Sequence, residues 1–134
     1  MSRWIWIDIA VVLAVHDEQL AEHGGSPGVR DRGLLESALA RPKNLGAYEP
    51  EADIAALALA YAYGIVRNHP FIDGNKRSGL VALELFLELN GQELRADDAA
   101  CVETILRLAE GALSEVELVQ WARASLASRS TQAR

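Results

Sequence analysis

Two stretches of this chain have almost no polar face. Ala52 to Asn68 carries Ile54, Leu57, Leu59, Tyr61, Ile65 and Val66, and Asn75 to Leu89 carries Leu80, Val81, Leu83, Leu85, Phe86, Leu87 and Leu89. A helix that is apolar nearly all round has to be covered nearly all round. In a chain of 134 residues two such helices can only form the centre, wrapped by everything else. The predicted fold class is therefore all-α, with two central buried helices flanking a short loop. The length suits one domain over residues 1–134.

The wrapping helices carry ordinary start and stop signals. Asp8 to Glu22 has Ile9, Val12, Leu13 and Leu20 at helical spacing, and Gly24-Gly25 supplies a stop. Asp31 is a cap for a short helix bearing Leu34, Leu35, Ala38 and Leu39, which Arg41-Pro42 is expected to end. Glu84 and Glu88, four apart, mark the solvated edge of the second central helix, and Asn90-Gly91 stops it. Asp97 or Asp98 opens a helix through Leu108, and Ser114 to Glu117 reads as a capping box for the last one, with Val116, Val119 and Trp121. Strand signals are thin. Trp4 to Ile7 has strand-like composition, and residues 42–51 have the turn residues for a small β-hairpin, a candidate flap. The tail from Ser125 to Arg134 is polar, small and expected to fray.

Composition excludes several functions. Thirteen Lys and Arg against nineteen Asp and Glu give a net charge of -6, a poor match for non-specific nucleic-acid binding, and a DNA-binding helix-turn-helix has only Asn75-Lys76-Arg77 in its favour. The single cysteine, Cys101, excludes an internal disulfide and a cysteine-based zinc cluster; among Ala99, Ala100 and Val102 it reads as a small buried hydrophobe. A reducing, cytoplasmic setting is expected. Asp8 interrupts the apolar start, so no signal peptide is expected there. The uncharged run Ile54 to Val66 is too short for the roughly 20 residues of a membrane span. His16 and His23, with Asp17 and Glu22, have metal-ligating chemistry but no spacing that gathers them on one face. Trp4, Trp6 and Trp121 read as core or partner-facing residues.

The loop between the central helices is where the chemistry concentrates. It reads Arg67-Asn-His69-Pro70-Phe71-Ile72-Asp73-Gly74-Asn75-Lys76-Arg77. The first turn of a helix favours acidic residues by about 0.3–1 kcal/mol each, yet this helix starts with Lys76 and Arg77. Two cations there make sense if an anion sits among them, since a helix N-terminus is itself an anion site. Gly74 lets the backbone approach a phosphate closely. Asp73, beside the cations, is the type of residue that holds Mg²⁺ against phosphate oxygens. His69, on the other lip, is the side chain type best suited to take a proton from a hydroxyl near neutral pH. Pro70, Phe71 and Ile72 form a stiff apolar anchor, with Phe71 its largest side chain. Residues 67–77 carry Arg67, Lys76 and Arg77 against Asp73, a local surplus of two positive charges in an acidic chain. The residues alone thus describe a magnesium–nucleotide site with a histidine base.

His69-Pro-Phe-Ile-Asp73-Gly-Asn75-Lys76-Arg77 closely resembles the signature of the Fic/Doc superfamily, and more narrowly its Doc (death on curing) toxin branch. The wider Fic signature has glycine where this chain has Lys76, and a second arginine where it has Leu80. His16 to Gly25 and Gly28 to Pro42 also resemble the N-terminal run of Doc-like chains, so the resemblance covers about residues 4–91. It implies a toxin of a toxin–antitoxin module: a kinase that transfers the γ-phosphate of ATP to a threonine of elongation factor Tu and so arrests translation. By that resemblance His69 is the base, Asp73 holds Mg²⁺, and Gly74, Asn75, Lys76 and Arg77 hold the phosphates, with Lys76 favouring the orientation that presents the γ-phosphate. Residues 43–49 are expected to form either the flap where family members align the target peptide or an ordinary surface loop. The family's inhibitory helix, Ser/Thr-x-x-x-Glu-Gly/Asn, is not found: after Thr104 the glutamate position is Leu108, which implies inhibition in trans by a Phd-type antitoxin. AMP transfer to a protein hydroxyl and a non-catalytic nucleotide- or partner-binding module stay open as alternatives.

Overall fold

In the computed structural model, which describes residues 3–128, the chain forms helices α1 (Ile9–His23), α2 (Arg32–Tyr48), α3 (Ile54–Asn68), α4 (Asn75–Leu89), α5 (Asp98–Glu110) and α6 (Glu115–Ala124). Two short strands, β1 (Gln92–Leu94) and β2 (Leu126–Ser128), pair antiparallel with Glu93 opposite Ala127. α3 is the central element. Ala55, the run from Leu57 to Ala62, Gly64, Ile65 and Val66 are all buried. α2, α4, α5 and α6 all pack on it, and α1 packs on α4. The all-α class and the central pair of buried helices thus hold.

Close approach between helices depends on two glycines. A β-carbon at Gly64 would lie 3.1 Å from the backbone of Ala38 on α2, and one at Gly79 would lie 2.8 Å from Val66 on α3. The α2–α3 and α3–α4 contacts are therefore set by backbone against backbone or branched side chain. The pairing of α3 and α4 fixes the separation of the two lips of the loop that joins them.

Four differences from the sequence reading stand out. Pro42 does not end α2; the helix continues through it to Tyr48, so residues 42–48 are helical and hold no hairpin. Pro42 cannot donate to the Ala38 carbonyl, but that carbonyl lies over Gly64, where no side chain needs the space, and Pro42, Leu39 and Leu45 pack into the core. Burial of the surrounding turns outweighs one lost helical hydrogen bond. The antiparallel strand pair of this fold instead joins residues 92–94 to residues 126–128, so the tail is ordered to Ser128, and its last part, residues 129–134, lies outside the described residues. Finally, residues 4–7 are not a strand. The Asn90 side chain takes the place of a partner strand: its Oδ1 accepts from Ile5 N–H at 2.9 Å and its Nδ2 donates to the Ile5 carbonyl at 3.0 Å. Trp4 and Trp6 lie against Phe86, with ring centroids 6.1 and 5.7 Å away.

The predicted caps are present. Asp31, Asp97 and Ser114 each accept from a first-turn N–H, and Glu117 closes the box back onto Ser114. Cys101 is buried, which pushes its thiol up. Glu84 is half-buried instead of solvated, and burial pushes its carboxyl above the usual range, with Glu88 and Asp98 adding to the shift. No helix among the described residues is long and apolar enough to cross a membrane.

Asp53 joins two elements. Its Oδ1 caps α3 through Ala56 N–H (3.0 Å), and its carboxylate pairs with Arg123 on α6 (2.6 Å). The Arg123 hydrogen bond, helped by the cap, holds the Asp53 carboxyl below its usual range. A lowered folded pKa contributes stability above the unfolded value of about 4 and loses it as pH falls through the folded value. Asp53→Ala is expected to cost about 1 kcal/mol at pH 7, the ordinary cost of a lost cap. In urea titrations at a series of pH values, the gap to the parent protein should close below pH of about 4. A gap that stays constant to pH 2 would show that the carboxylate is not what matters.

Candidate active site

The loop from His69 to Gly74 leaves α3 and enters α4 through two left-handed residues. Gly74, at φ 80°, precedes the first turn of α4, and His69, at φ 53°, caps the end of α3. Glycine adopts that conformation freely. For a residue with a β-carbon it costs about 1–2 kcal/mol, so His69 must be held there by its surroundings.

Asn75 supplies the inner fastening. The residue is buried, and its side-chain amide makes both hydrogen bonds of a strand partner: Oδ1 accepts from Phe71 N–H and Nδ2 donates to the Phe71 carbonyl, each at 3.0 Å. The first turn of α4 thereby holds the middle of the loop, and the side chain of Asn75 is engaged with protein. What Asn75 has to offer an anion is its backbone N–H. The amides of Asn75, Lys76 and Arg77 lie ahead of the first helical bond, Ser78 N–H to the Gly74 carbonyl, and no side chain caps this end.

Phe71 is fully buried and stacks face to face on His16 of α1, with centroids 3.8 Å apart and planes 7° from parallel. The Nε2 of His16 lies 2.8 Å from the Asp73 carbonyl. A carbonyl only accepts, so Nε2 carries the hydrogen. His16, 2% exposed, is thus a support of the loop and not a metal ligand. His23 sits beside Glu22 at 3.5 Å, and no group of three potential metal-ligating side chains exists among the described residues. Pro70 is buried with Phe71, while Ile72 is exposed beside Gly28 and does not share the anchor role.

A strap from residues 25–31 holds the outer side. Ile72 N–H donates to the Gly28 carbonyl, and Arg30 and Asp31 N–H both donate to the Pro70 carbonyl, at 2.7 and 3.0 Å. Ser26 N–H donates to Asp73 Oδ2 at 3.2 Å, while Gly74 N–H donates to Oδ1 at 2.9 Å. These two bonds, Ser26 first, hold the Asp73 carboxyl below its usual range, with Arg77 and Lys76 adding to them. A β-carbon at Gly25 would meet Asp73 Oδ2 at 2.9 Å, so the strap needs a glycine there.

The exposed side of the loop opens into a cleft of about 490 Å³. His69 and Asp73 line it together with Gly74, Asn75, Lys76 and Arg77. Leu80 of α4 and Val102, Ile105 and Leu106 of α5 make an apolar wall opposite. His69, Asp73, Lys76 and Arg77 are exposed. The predicted residues are therefore gathered around one opening, Phe71 lying beneath it. Arg67 is not among them: it lies over the Tyr63 ring, 5.8 Å from its centroid, and beside Gly111. The Asp73 carboxylate fits a hexacoordinate cation that takes one or two protein oxygens and the rest from phosphate and water. Each of its oxygens accepts one backbone N–H and retains lone-pair capacity.

His16, Arg30, Ser26 and the α5 wall were not predicted as parts of the site. His16 lies in the run His16 to Gly25 and Arg30 in the run Gly28 to Pro42, the two that carry the N-terminal resemblance, and Ser26 lies between them. The α5 wall has no local signal, because Val102 and Leu106 read as ordinary helix residues.

Comparison with known proteins identifies the family. The model of a family described as the Fic/DOC family matches residues 6–87. A protein kinase doc of Escherichia phage P1 is 35% identical over 83 residues, 62% of this chain and 66% of that protein. A toxin Doc of Mycolicibacterium smegmatis is 44% identical over 78 residues, 55% of this chain and 58% of that one. The chain thus spans somewhat under two thirds of the length of each.

Removal of the inner fastening leaves Phe71 N–H and its carbonyl buried and unpaired, at about 1–3 kcal/mol each. Asn75→Ala is expected to lower unfolding free energy by about 2–6 kcal/mol in denaturant titration. A loss under about 0.5 kcal/mol, within the ordinary range of surface substitutions, would show that the clip does not hold the loop.

Proposed function

The chain belongs to the Fic/DOC family, whose model covers residues 6–87, and on that premise we propose that it is the toxin of a toxin–antitoxin module, acting as an ATP-dependent protein phosphotransferase. The names of its relatives, a protein kinase doc and a toxin Doc, support both halves of this reading. The observation that carries it is the shared cleft: an exposed histidine on one lip and an uncapped helix N-terminus with two exposed cations on the other.

Of the three histidines, His16 is buried against Phe71 and His23, the last residue of α1, does not line the cleft, which leaves His69 to face it. In the proposed reaction ATP is a substrate. The amides of Asn75, Lys76 and Arg77 and the side chains of Lys76 and Arg77 hold its phosphates. Asp73 would hold Mg²⁺, which supplies charge neutralisation on the phosphate oxygens when bound. His69 takes the proton of the acceptor hydroxyl as that oxygen bonds to the γ-phosphorus and the bond to the ADP oxygen breaks. The protein contributes position and electrostatics, and forms no covalent intermediate. The acceptor we propose is a threonine of elongation factor Tu, with arrest of translation as the result.

Control in trans by a Phd-type antitoxin is part of the same proposal. Leu108, at the position of the inhibitory glutamate in the family pattern, is fully buried, and the Thr104 hydroxyl donates to the Ala100 carbonyl at 2.7 Å. α5 thus turns no carboxylate from that position toward the cleft.

The test uses ATP labelled at either the α or the γ phosphate, with Mg²⁺ and elongation factor Tu and without antitoxin. Label from γ is expected. Label from α would replace the kinase reading with AMP transfer, and no label from either would leave a binding module. His69→Ala should abolish transfer while ATP affinity stays within about twofold, the signature of a group that acts only in the transition state. Equal losses in both would count against a base.

Lys76 separates the two transfer reactions. Lys76→Gly is expected to reduce γ-transfer by at least about tenfold, since one well-placed charge on the phosphates is commonly worth more than 1.4 kcal/mol. Unchanged γ-transfer in that variant would remove Lys76 from the phosphate-orienting set.

A further inference from the structure

The most strained backbone at the site is also the one that carries the proposed base. His69 is the single non-glycine residue with positive φ among the described residues. Its N–H closes the last turn of α3 on the Ile65 carbonyl at 3.1 Å, but that bond leaves its φ and ψ free to relax outward. A fastening on the carbonyl side is needed to keep the left-handed turn.

Arg30 provides it. The Nε of Arg30 donates to the His69 carbonyl at 2.7 Å, and Nη2 donates to the Asn68 carbonyl at 3.0 Å. One edge of the planar guanidinium thus spans two successive carbonyls across the turn where the helix gives way to the loop. The backbone of the same residue donates to the Pro70 carbonyl at 2.7 Å. Three consecutive carbonyls, those of Asn68, His69 and Pro70, therefore point at Arg30. Its neighbours fix its position in turn: Gly28 accepts from Ile72, and Asp31 caps α2 through Leu34 N–H. Asn68 is held from its other side by its own side chain, which donates to the Leu34 carbonyl at 3.0 Å.

We infer that Arg30 is a positioning residue for the reaction, setting the direction of the His69 imidazole through the backbone without touching substrate; this rests on the reading of His69 as the base. The geometry suits arginine and not lysine. A guanidinium offers two parallel N–H bonds from one rigid plane, whereas an ammonium on a flexible stem behaves as a point charge. Arg30 is exposed and lies outside the core, so its removal leaves the packing of α2 and α3 intact. What it changes is the set of conformations open to residue 69.

The test has one arm that does not depend on activity. In NMR spectra of the parent protein, Arg30→Ala and Arg30→Lys, the backbone shifts and the N–H to Hα coupling of His69 report its φ. In both variants these signals should leave left-handed values, while those of α2 residues 35–45 stay in place. The kinetic arm measures γ-phosphate transfer from ATP to elongation factor Tu, with ATP affinity measured separately. The expected result is a kcat about tenfold to hundredfold lower, as misplacement by an ångström commonly costs, with ATP affinity within twofold. Unmoved His69 signals would overturn the inference. So would a Lys variant with full kcat, which would reduce Arg30 to a charge at the end of α3, or a loss of ATP affinity as large as the loss of kcat. Absence of transfer by the parent protein would sink the proposed function instead, and the NMR arm would still decide whether Arg30 holds His69.

Discussion

The pair of hydrogen bonds between the Asn75 side chain and the Phe71 backbone is the constraint on which the site depends. α3 and α4 are buried and close-packed, so the chain between them has little room. A loop there would leave main-chain groups without partners, a cost of about 1–3 kcal/mol for each buried one. Asn75 solves this by acting as a one-residue strand for Phe71. The same bonds turn Phe71 inward to stack on His16 and turn the flanking residues, His69 on one side and Asp73 on the other, toward solvent. One buried amide thus decides which side chains of the loop are core and which are available for chemistry.

A second layer reaches the loop from far away in sequence. His16 lies 57 residues from the Asp73 carbonyl it binds, and Arg30 lies 39 residues from His69. The hydrogen bonds of this layer bind main chain, with the Asp73 carboxylate the one side chain they engage, while the His16 ring also stacks on Phe71. Backbone-directed support of this kind holds direction while the imidazole of His69, the ammonium of Lys76 and the guanidinium of Arg77 line the cleft. It is the arrangement that preorganised electrostatics requires, because groups that are fixed before substrate arrives need no reorganisation during reaction.

The parts of the fold legible in the sequence were those written in local chemistry. The all-round apolar runs identified α3 and α4, and Asp31, Asp97 and Ser114 marked helix starts by a cap that needs only three following residues. Pro42 misled for the converse reason. A proline is a local stop signal, and what overrode it was tertiary: Gly64 on another helix accommodates the Ala38 carbonyl, and the next turns are buried. The strand pair was invisible because β1 and β2 are three residues each and meet only through the fold. At the site, residue types and spacing were enough to collect His69, Asp73, Lys76 and Arg77, all of which line the cleft. They were not enough to distinguish the side chain of Asn75, which faces inward, from its neighbours, or to separate the Arg67 guanidinium, which lies over Tyr63, from the cluster. The metal-ligating chemistry of the His16 imidazole is visible in the sequence, but the Phe71 ring stacked on it is not.

The position of Arg67 alters the electrostatic account of the cleft. With Arg67 turned toward Tyr63 and Gly111, the side chains at the α4 terminus number two cations and one carboxylate. A surplus of one, in a chain with net charge -6, is a weak attractor for a polyanion. The backbone makes up the difference. The first amides of α4 carry roughly half a positive charge at the helix terminus, facing the cleft. The Asp73 carboxylate is held low by Ser26 and Gly74 N–H, so it stays ionised beside the cations. The charge that faces the cleft is therefore set by the backbone of one helix terminus as much as by its side chains, in a chain whose net charge of -6 works against it.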